Sequence, residues 1–249
     1  MDISLAKQLF SCIDNTTLNA TDNESSVEAF CRRTLEMAVD GRHVAAVCVY
    51  PRWVACAKRR LAGSDIRVAS VAGAFPHGQL PLKLKVAEVR QAIADGADEV
   101  DIVINRGLLL AGDDEGVVHE VQAMKQACGD HHLKVILETG ELSSPTLIAK
   151  AAQLAIDGGA DFIKTSTGKI GVGATLEAAE VMLNVVKENV NFNKKTVGFK
   201  AAGGIRKPEE AMAYAQLAKK IMGDDYVNNQ TFRIGASSLT EGLFSILTI

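Results

Sequence analysis

The sequence predicts an α/β fold, a (β/α)8 TIM barrel formed by a single domain, and three observations support this prediction. The chain has 249 residues, and such a barrel usually takes about 250. Eight short runs rich in β-branched residues alternate with helical segments along the chain. No linker or change of composition divides it. We therefore expect one barrel domain over residues 1–249.

The eight predicted strands recur along the whole chain. In order they are CID near residue 12, VAAVCVY from 44, RVASVAGAF from 67, EVDIVIN from 99, KVILETG from 134, DFIKTSTG from 161, TVGFKAAGGI from 196 and FRIGASS from 232. The helical segments between them include LKVAEVRQAIADGA and TLIAKAAQLAIDGGA, which end in glycine as helix C-caps often do. Strands that alternate with helices pair in parallel through right-handed crossovers. The first strand is not followed by a Gly-x-Gly-x-x-Gly motif, which disfavours an open, dinucleotide-binding sheet.

The polarity of alternate residues in the strands supports a closed barrel. In the fourth strand Val100 and Ile102 share one phase, and Glu99 and Asp101 share the other. In a barrel the outward phase packs against helices and the inward phase fills the interior. The same alternation in strands five to seven predicts a charged interior that consists of Asp101, Lys134, Glu138, Lys164 and Lys200.

Two of these lysines, Lys164 and Lys200, lie on neighbouring predicted strands and suggest covalent catalysis. Burying a charge costs several kcal/mol unless the charge is paired. The alternative to a catalytic role for each residue is therefore a structural one, in a salt-bridge network that only fills the barrel. A free lysine has a pKa of about 10.4, and a nearby cation with partial desolvation lowers it. We therefore predict that Lys164 forms a Schiff base with a carbonyl substrate. Lys200 would lower the pKa of Lys164, and Asp101 would relay protons with Lys200 or an ordered water beside it.

The loops after strands seven and eight predict a phosphate site. They read AAGGIRKPEEA (201–211) and GASSLTEGL (235–243), and barrel enzymes often bind phosphate at these two loops. Ser238 and Glu241 fit a capping box, which would aim the amides of a helix N-terminus at the ligand. The alternative is that both loops are ordinary turns. The predicted contacts from this pattern are Gly168, Lys169, Gly203, Gly204 and Arg206.

Composition disfavours several other functions. The net charge of −3, from 27 basic and 30 acidic residues, gives no reason to expect nucleic acid or an anionic membrane as a partner. The five cysteines show no metal-type spacing, which is typical of free thiols in a reducing compartment. The sequence shows neither the pattern of a signal peptide nor an apolar run long enough for a membrane span. We therefore expect a cytoplasmic protein. The histidines lack metal-binding spacings, and we expect neither a metal nor another cofactor. Cys48 shares an interior phase with Ala46 and is a candidate pocket residue, with core packing as the alternative.

Several segments together resemble the deoxyribose-phosphate aldolase family. They are DFIKTSTGK (161–169), GFKAAGGIR (198–206), ADEVDIV (97–103), CVYPR (48–52), FPHG (75–78), KVILETGEL (134–142) and RIGASS (233–238). The match runs from DNTTL at 14–18 to the last loop. The resemblance implies a metal-free class I aldolase that reversibly cleaves 2-deoxy-D-ribose 5-phosphate into acetaldehyde and D-glyceraldehyde 3-phosphate. It also implies a role in deoxyribonucleoside breakdown.

The resemblance assigns roles to individual residues. It implies that Lys164 is the Schiff-base lysine, Lys200 the second lysine and Asp101 the proton-relay carboxylate. Asp14 is a candidate charge partner of the interior lysines, with a role in a turn or cap as the alternative, and Lys134 is a further supporting candidate. The implied phosphate contacts are Gly168, Lys169, Gly203, Gly204, Arg206, Gly235, Ser237 and Ser238.

Two departures from the family pattern bear on these roles. Members often read K-P-A-G-G after the second lysine, whereas Ala201 stands here in the proline position. We expect the loop there to be slightly less rigid. Some members carry a C-terminal tail with a tyrosine that helps proton transfer, and the chain to Ile249 shows none. We expect slower proton exchange on the bound aldehyde than in tailed members.

Two alternative functions remain open. One is a Schiff-base lyase that acts on another phosphorylated sugar. The other is a non-catalytic barrel that binds sugar phosphates, which would need the glycine loops and Arg206 but not two interior lysines. The sequence leaves the oligomeric state open, and a homodimer is among the arrangements it allows.

Overall fold

A computed structural model describes residues 2–193 and 196–248. In these ranges eight strands form a closed parallel barrel, in which each strand pairs with the next along the chain and the last pairs with the first. The predicted (β/α)8 TIM barrel is confirmed. The predicted domain bounds include Met1 and Ile249, which lie outside the described residues. The strands are β1 (Ile13–Thr16), β2 (Ala46–Val49), β3 (Arg67–Val71), β4 (Glu99–Val103), β5 (His132–Ile136), β6 (Phe162–Lys164), β7 (Gly198–Ala202) and β8 (Phe232–Ala236).

The helices pack around the outside of the barrel and connect its strands. Short 3-10 turns precede α3, follow β5 and precede β8, at Pro51–Trp53, Thr139–Glu141 and Asp224–Tyr226. Over the described residues, we find no helix whose length and apolar character would carry it across a membrane. The helices are α1 (Ile3–Phe10), α2 (Glu24–Glu36), α3 (Val54–Arg60), α4 (Leu82–Ala94), α5 (Arg106–Ala111), α6 (Asp114–Cys128), α7 (Pro145–Asp157), α8 (Leu176–Asn193), α9 (Pro208–Met222) and α10 (Leu239–Leu247).

Helix α7 shows how the sequence specifies these elements. The side chain of Ser144 accepts a hydrogen bond from the amide of Leu147 at 3.2 Å, and Pro145 occupies the first helical position. Such a cap stabilises a helix by about 1 kcal/mol. The helix ends at Asp157, and Gly159 then takes the left-handed conformation, with φ of 96°. Its buried residues recur at helical spacing and face the barrel: Ile148, Ala151, Ala152, Ala155 and Ile156.

Strand β4 shows the two phases that the sequence predicts. Val100 and Ile102 are fully buried in the hydrophobic core between strands and helices. Glu99 and Asp101 are also fully buried, but they contact charged side chains inside the barrel. Strand alternation therefore separates an apolar outer layer from a charged interior.

Candidate active site

A cleft of about 250 Å³ opens where the strands end. A second cleft of about 380 Å³ lies at the opposite end of the barrel, where Arg67 and His132 begin β3 and β5. Reactive groups of α/β barrels lie at the carboxyl ends of their strands, so the smaller cleft is the candidate active site. It is lined by Thr16, Leu18, Asn19, Lys164, Thr167, Gly168, Lys169, Ala202, Gly203, Gly204, Ile205, Arg206, Gly235, Ala236 and Ser237.

Lys164 reaches this cleft from the end of β6 and is only 4% exposed. Its Nζ donates a hydrogen bond to Oδ2 of Asp101 at 2.8 Å, and Nζ of Lys200 donates to the same oxygen at 2.7 Å. Burial lowers the pKa of Lys164, and the charge of Lys200 lowers it further, although Asp101 opposes both. The lower pKa increases the share of neutral amine at Lys164, which is the form that Schiff-base chemistry needs.

Lys200 has the opposite ionisation. It lies level with Lys164 in the β6–β7 pairing and also donates to Oδ2 of Asp14 at 2.5 Å. Burial alone would lower its pKa, but the carboxylates of Asp101 and Asp14 raise it above the ordinary value. Lys200 therefore stays an ammonium group while its neighbour loses the proton more easily.

Asp101 joins three lysines at the centre of the barrel. Its Oδ1 accepts from Nζ of Lys134 at 3.0 Å, and its Oδ2 accepts from Lys164 and Lys200. Burial would raise the pKa of this carboxyl, but the charges of Lys134, Lys164 and Lys200 hold it well below its usual range. The three lysines therefore favour the ionised carboxylate at Asp101.

Below these residues the interior holds charges that extend the cluster. Nη1 of Arg233 donates to Oδ1 of Asp14 at 2.6 Å, and Nη2 donates to Oε1 of Glu99 at 2.8 Å. Lys134 donates to Glu99 and lies 3.6 Å from Oδ2 of Asp14. Asp14 and Lys134 were both candidates from the sequence. Asp14 contacts Lys200, and Lys134 contacts Asp101. Their contacts are the ones that a charge partner of the lysines would make.

Glu99 and Arg233 were not assigned a role from the sequence, although strand alternation indicates an inward position for both. Glu99 lies on the predicted inward phase of β4. Arg233 alternates with Gly235 and Ser237 in the last strand, whereas its neighbours Phe232 and Ile234 are apolar. An arginine in the inward phase of a barrel strand needs buried carboxylates, because its charge cannot be removed by deprotonation.

Glu138 does not join the charged cluster, contrary to the prediction. It lies beyond the end of β5 with φ of 57°, so strand alternation no longer sets the direction of its side chain. Its carboxylate accepts hydrogen bonds from the amide of Thr167 at 3.1 Å and from the Thr167 hydroxyl at 2.5 Å. Glu138 thereby fixes the loop that follows Lys164.

The predicted phosphate contacts lie mostly in the cleft. Gly203 has φ of 92°, and a Cβ there would come within 3.1 Å of Cα of Gly173 and 3.3 Å of Cα of Gly168. Only glycine allows the two loops to approach so closely. Lys169 also lines the cleft, and its Nζ donates to the carbonyl of Leu18 at 2.5 Å. Arg206 lies at the exposed rim.

Ser238 corrects one expectation. It precedes α10 but lies beside the cleft lining, and its side chain makes no capping hydrogen bond within the described residues. Its ψ of −15° is already helical, whereas a capping box needs an extended N-cap that turns the hydroxyl toward the third amide. Glu241 instead pairs with Arg33 at 2.8 Å. The predicted capping box is therefore wrong.

The last strand supplies room for Lys200. A Cβ at Gly235 would lie 2.9 Å from Cε of Lys200, so the glycine allows the lysine to extend toward Asp101. Gly235 and Ser237, two of the predicted phosphate contacts, both line the cleft. Gly235 thus also serves the packing of the catalytic candidates.

Two other residues singled out from the sequence lie in packing positions. Cys48 belongs to a small apolar cluster with Leu18 and Ala69, and burial raises the pKa of its thiol to about 11. Ala201 is fully buried within β7, where it pairs with Ile234 of β8. It precedes the loop that we expected to be slightly less rigid than in family members with proline at this position. Cys48 is therefore a neutral packing residue in this arrangement.

The end of β1 and the loop after it contribute cleft residues that were missed. Thr16, Leu18 and Asn19 line the cleft, and the predicted first strand ended too early to include Thr16. The hydroxyl of Thr16 donates to the carbonyl of Asp14 at 2.8 Å. The alternation of Asp14 with Thr16 was the available signal.

One potential set of metal ligands occurs among the described residues, away from the cleft. It comprises Glu24, Glu28 and Cys56, on α2 and α3. Arg59 pairs with Glu24 at 2.9 Å, and Arg60 pairs with Glu28. These arginines already balance the two carboxylates, so the group is explained as a surface ion-pair network.

Comparisons with known proteins agree on one family. The model of the DeoC/LacD family of aldolases matches residues 9–241. A Caenorhabditis elegans protein, named as a candidate deoxyribose-phosphate aldolase, is 47% identical over 239 residues, which cover 94% of this chain and 79% of that protein. A crystal structure of a protein with the same designation from Coccidioides immitis has 30% identity and a TM-score of 0.82, covering 95% of this chain and 85% of that one. Another, from Toxoplasma gondii, has 25% identity and a TM-score of 0.86, covering 99% and 96%.

Proposed function

Because this chain belongs to the DeoC/LacD family of aldolases, and is therefore a lyase, we propose that it cleaves 2-deoxy-D-ribose 5-phosphate by a Schiff base at Lys164. The products would be acetaldehyde and D-glyceraldehyde 3-phosphate, and the reaction is reversible. The observation that carries the proposal is the pair Lys164 and Lys200 on one oxygen of Asp101, with Lys164 at the cleft. The names of the relatives supply the substrate.

The reaction begins with attack of the neutral Nζ of Lys164 on the aldehyde carbon of the open-chain sugar. The carbinolamine loses water and gives a protonated imine, which withdraws electrons from the adjacent carbon. Loss of the proton from the C3 hydroxyl then breaks the C2–C3 bond, and its electrons form an enamine. Glyceraldehyde 3-phosphate leaves, the enamine takes up a proton at C2, and hydrolysis releases acetaldehyde.

The proton transfers would use Asp101 and its neighbours. Formation of the imine uses the lone pair that binds a proton on Lys164, so the hydrogen bonding around Asp101 changes during the cycle. Asp101 is then positioned to exchange protons with the substrate through a water molecule, and Lys200 holds the opposite charge beside it. A role in deoxyribonucleoside breakdown and a cytoplasmic location form part of the same proposal. Formation of a homodimer is a further proposal.

Borohydride reduction in the presence of acetaldehyde tests the mechanism. We expect an ethyl group on Lys164, identified by peptide mass spectrometry, because reduction converts the imine into a stable secondary amine. Omission of acetaldehyde is the control for labelling that does not depend on an imine. If no lysine is labelled, the chain is better explained as a sugar-phosphate-binding barrel. An adduct on another lysine would contradict the assignment of Lys164.

The phosphate site makes a separate prediction for Arg206. We expect Arg206→Gln to raise KM for deoxyribose 5-phosphate about tenfold, because a charged hydrogen bond to phosphate contributes roughly 1.5–3 kcal/mol. KM for unphosphorylated 2-deoxyribose should stay unchanged. The matched control is Lys207→Gln, which removes the adjacent exposed cation outside the cleft lining. Equal effects of Arg206→Gln on both sugars would contradict a phosphate contact.

If the chain is instead a lyase for another phosphorylated sugar, the trap with acetaldehyde would still label Lys164. Comparison of kcat/KM for deoxyribose 5-phosphate and ribose 5-phosphate addresses this alternative. We expect the 2-deoxy sugar to be preferred, and the reverse order would favour the alternative.

A further inference from the structure

The charges inside the barrel balance without Lys164. Among the described residues, three buried carboxylates and three buried cations are joined by direct contacts in the barrel interior. Lys164 contacts the cluster through Asp101 and would be a fourth cation if it were protonated. The carboxylates are Asp14, Glu99 and Asp101, and the cations are Lys134, Lys200 and Arg233.

Arg233 is held in this cluster by contacts with two carboxylates, a backbone carbonyl and an aromatic ring. It is fully buried outside the cleft lining, and its Nε donates to the carbonyl of Asn229 at 2.6 Å. Its guanidinium contacts Asp14 and Glu99 and lies 5.6 Å from the ring centroid of Phe162. Burial alone would lower the pKa of Arg233, but the two carboxylates raise it above the ordinary value. Arg233 is therefore a permanent positive charge inside the barrel.

Two chains of contacts connect Arg233 and Glu99 to Lys164. One runs from Arg233 through Asp14 and Lys200 to Oδ2 of Asp101, the oxygen that Lys164 contacts. The other runs from Glu99 through Lys134 to Oδ1 of the same carboxylate. Both therefore end on the carboxylate that contacts Lys164.

Arg67 adds a charge at the edge of the cluster. Its Nη1 donates to Oε1 of Glu99 at 2.9 Å, but its side chain is 34% exposed. Water therefore screens much of its charge. Two other groups near Lys164 lie outside the cluster: the thiol of Cys48 on β2 is neutral, and the carboxylate of Glu138, beyond the end of β5, accepts hydrogen bonds from Thr167. The ionised groups around Lys164 are Asp101 on β4, Lys200 on β7, Asp14 on β1 and Lys134 on β5.

We propose that Arg233 and Glu99 are positioning residues, which set the charge balance that keeps Lys164 an amine. The inference rests on the proposed function of Lys164 as a Schiff-base nucleophile. Because three carboxylates already match three cations, a proton on Lys164 adds an uncompensated charge to a buried cluster. Such a charge is expensive in the interior, so the proton leaves.

The proposal predicts shifts of opposite sign for two substitutions. Arg233→Met leaves a negative excess and should move the midpoint for deprotonation of Lys164 upward by roughly one pH unit. Glu99→Gln leaves a positive excess and should move it downward by a similar amount. On the acid side of the wild-type midpoint, the amine reactivity of Lys164 should fall about tenfold in the first variant and rise about tenfold in the second.

Two further variants separate charge from structure. The double variant Glu99→Gln/Arg233→Met removes one charge of each sign and should return the midpoint to the wild-type value. Arg233→Lys keeps the charge but loses the two-pronged hydrogen bonding, so its midpoint should stay near wild type even if its melting temperature falls. If Arg233→Met does not fold, Glu99→Gln, Arg233→Lys and the double variant still test the sign and the balance.

Competitive acetylation provides a readout that does not need catalysis. Each variant is treated with a limiting amount of acetic anhydride over a pH series, and acetylation of Lys164 is quantified by peptide mass spectrometry. Exposed Lys187 serves as the internal reference. Midpoints that coincide, or that follow melting temperature instead of charge, would overturn the inference.

The borohydride trap distinguishes this failure from failure of the proposed function. If wild-type Lys164 forms the acetaldehyde adduct but the deprotonation midpoints of the variants equal that of the wild type, the aldolase proposal is supported and the roles of Arg233 and Glu99 are refuted. If the midpoints move as expected but no adduct forms, the charge balance survives and the proposed function fails.

Discussion

Replacement of Lys164 by leucine is expected to lower kcat for cleavage of deoxyribose 5-phosphate by at least about 10⁴-fold, because the covalent route is lost. The acetaldehyde adduct should disappear in the same variant. Binding of inorganic phosphate, measured by calorimetry, should persist, since its predicted contacts lie on the neighbouring loops. The matched control is Lys187→Leu on the exposed face of α8, which should retain wild-type kcat.

The same substitution should leave the barrel at least as stable as the wild-type protein. The interior carboxylates contact other cations besides Lys164, and leucine fills much of its space without charge. Thermal unfolding monitored by circular dichroism checks this result. A melting temperature well below wild type, or more than about a hundredth of wild-type kcat, would contradict the roles assigned to Lys164.

Replacement of Lys200 by leucine should have a different effect, although the two lysines lie level in adjacent strands. Asp14 and Asp101 each lose a hydrogen-bonded cation. Removal of one partner from a buried ion pair typically costs about 3–5 kcal/mol of unfolding free energy. Loss of the neighbouring positive charge should also raise the pKa of Lys164, so the acid limb of the kcat/KM profile should move upward by about one pH unit or more.

Urea unfolding and the pH dependence of kcat/KM measure these two effects separately. The double variant Lys200→Leu/Asp14→Asn removes a carboxylate together with the lysine, and should recover part of the lost stability and reverse part of the shift. An unchanged pH profile in Lys200→Leu would refute the coupling between the lysines.

The strand phases explain why much of the fold and the interior position of several charged residues could be predicted. Alternation in β4 to β7 separated the outward apolar residues from Asp101, Lys134, Lys164 and Lys200, because backbone geometry fixes the direction of each side chain within a strand. Strand alternation no longer predicts the direction of a side chain beyond the end of the strand. Glu138 takes a left-handed backbone conformation there and turns to Thr167.

Other features depended on which strands meet when the barrel closes. The pairing of β1 with β8 brings Asp14 level with Gly235, next to Arg233. Alternation could show that Arg233 points inward but could not identify the carboxylates that it contacts. The capping box at Ser238 failed for a local reason, since the pattern of residue types does not fix ψ of the first residue. The cleft residues Leu18 and Asn19 could not be predicted, because strand alternation does not determine the path of the loop after β1.

The balanced interior also bears on how this barrel can change by mutation. Each of its charges contacts a group of opposite sign on another strand, so substitution of Asp14, Glu99, Asp101, Lys134, Lys200 or Arg233 removes one charged partner from a buried neighbour. The effects of two substitutions there will be far from additive, and paired changes can be tolerated where each change alone is not. Adaptation to a new substrate is therefore more accessible through the loops around Leu18, Gly168 and Arg206 than through the centre of the barrel.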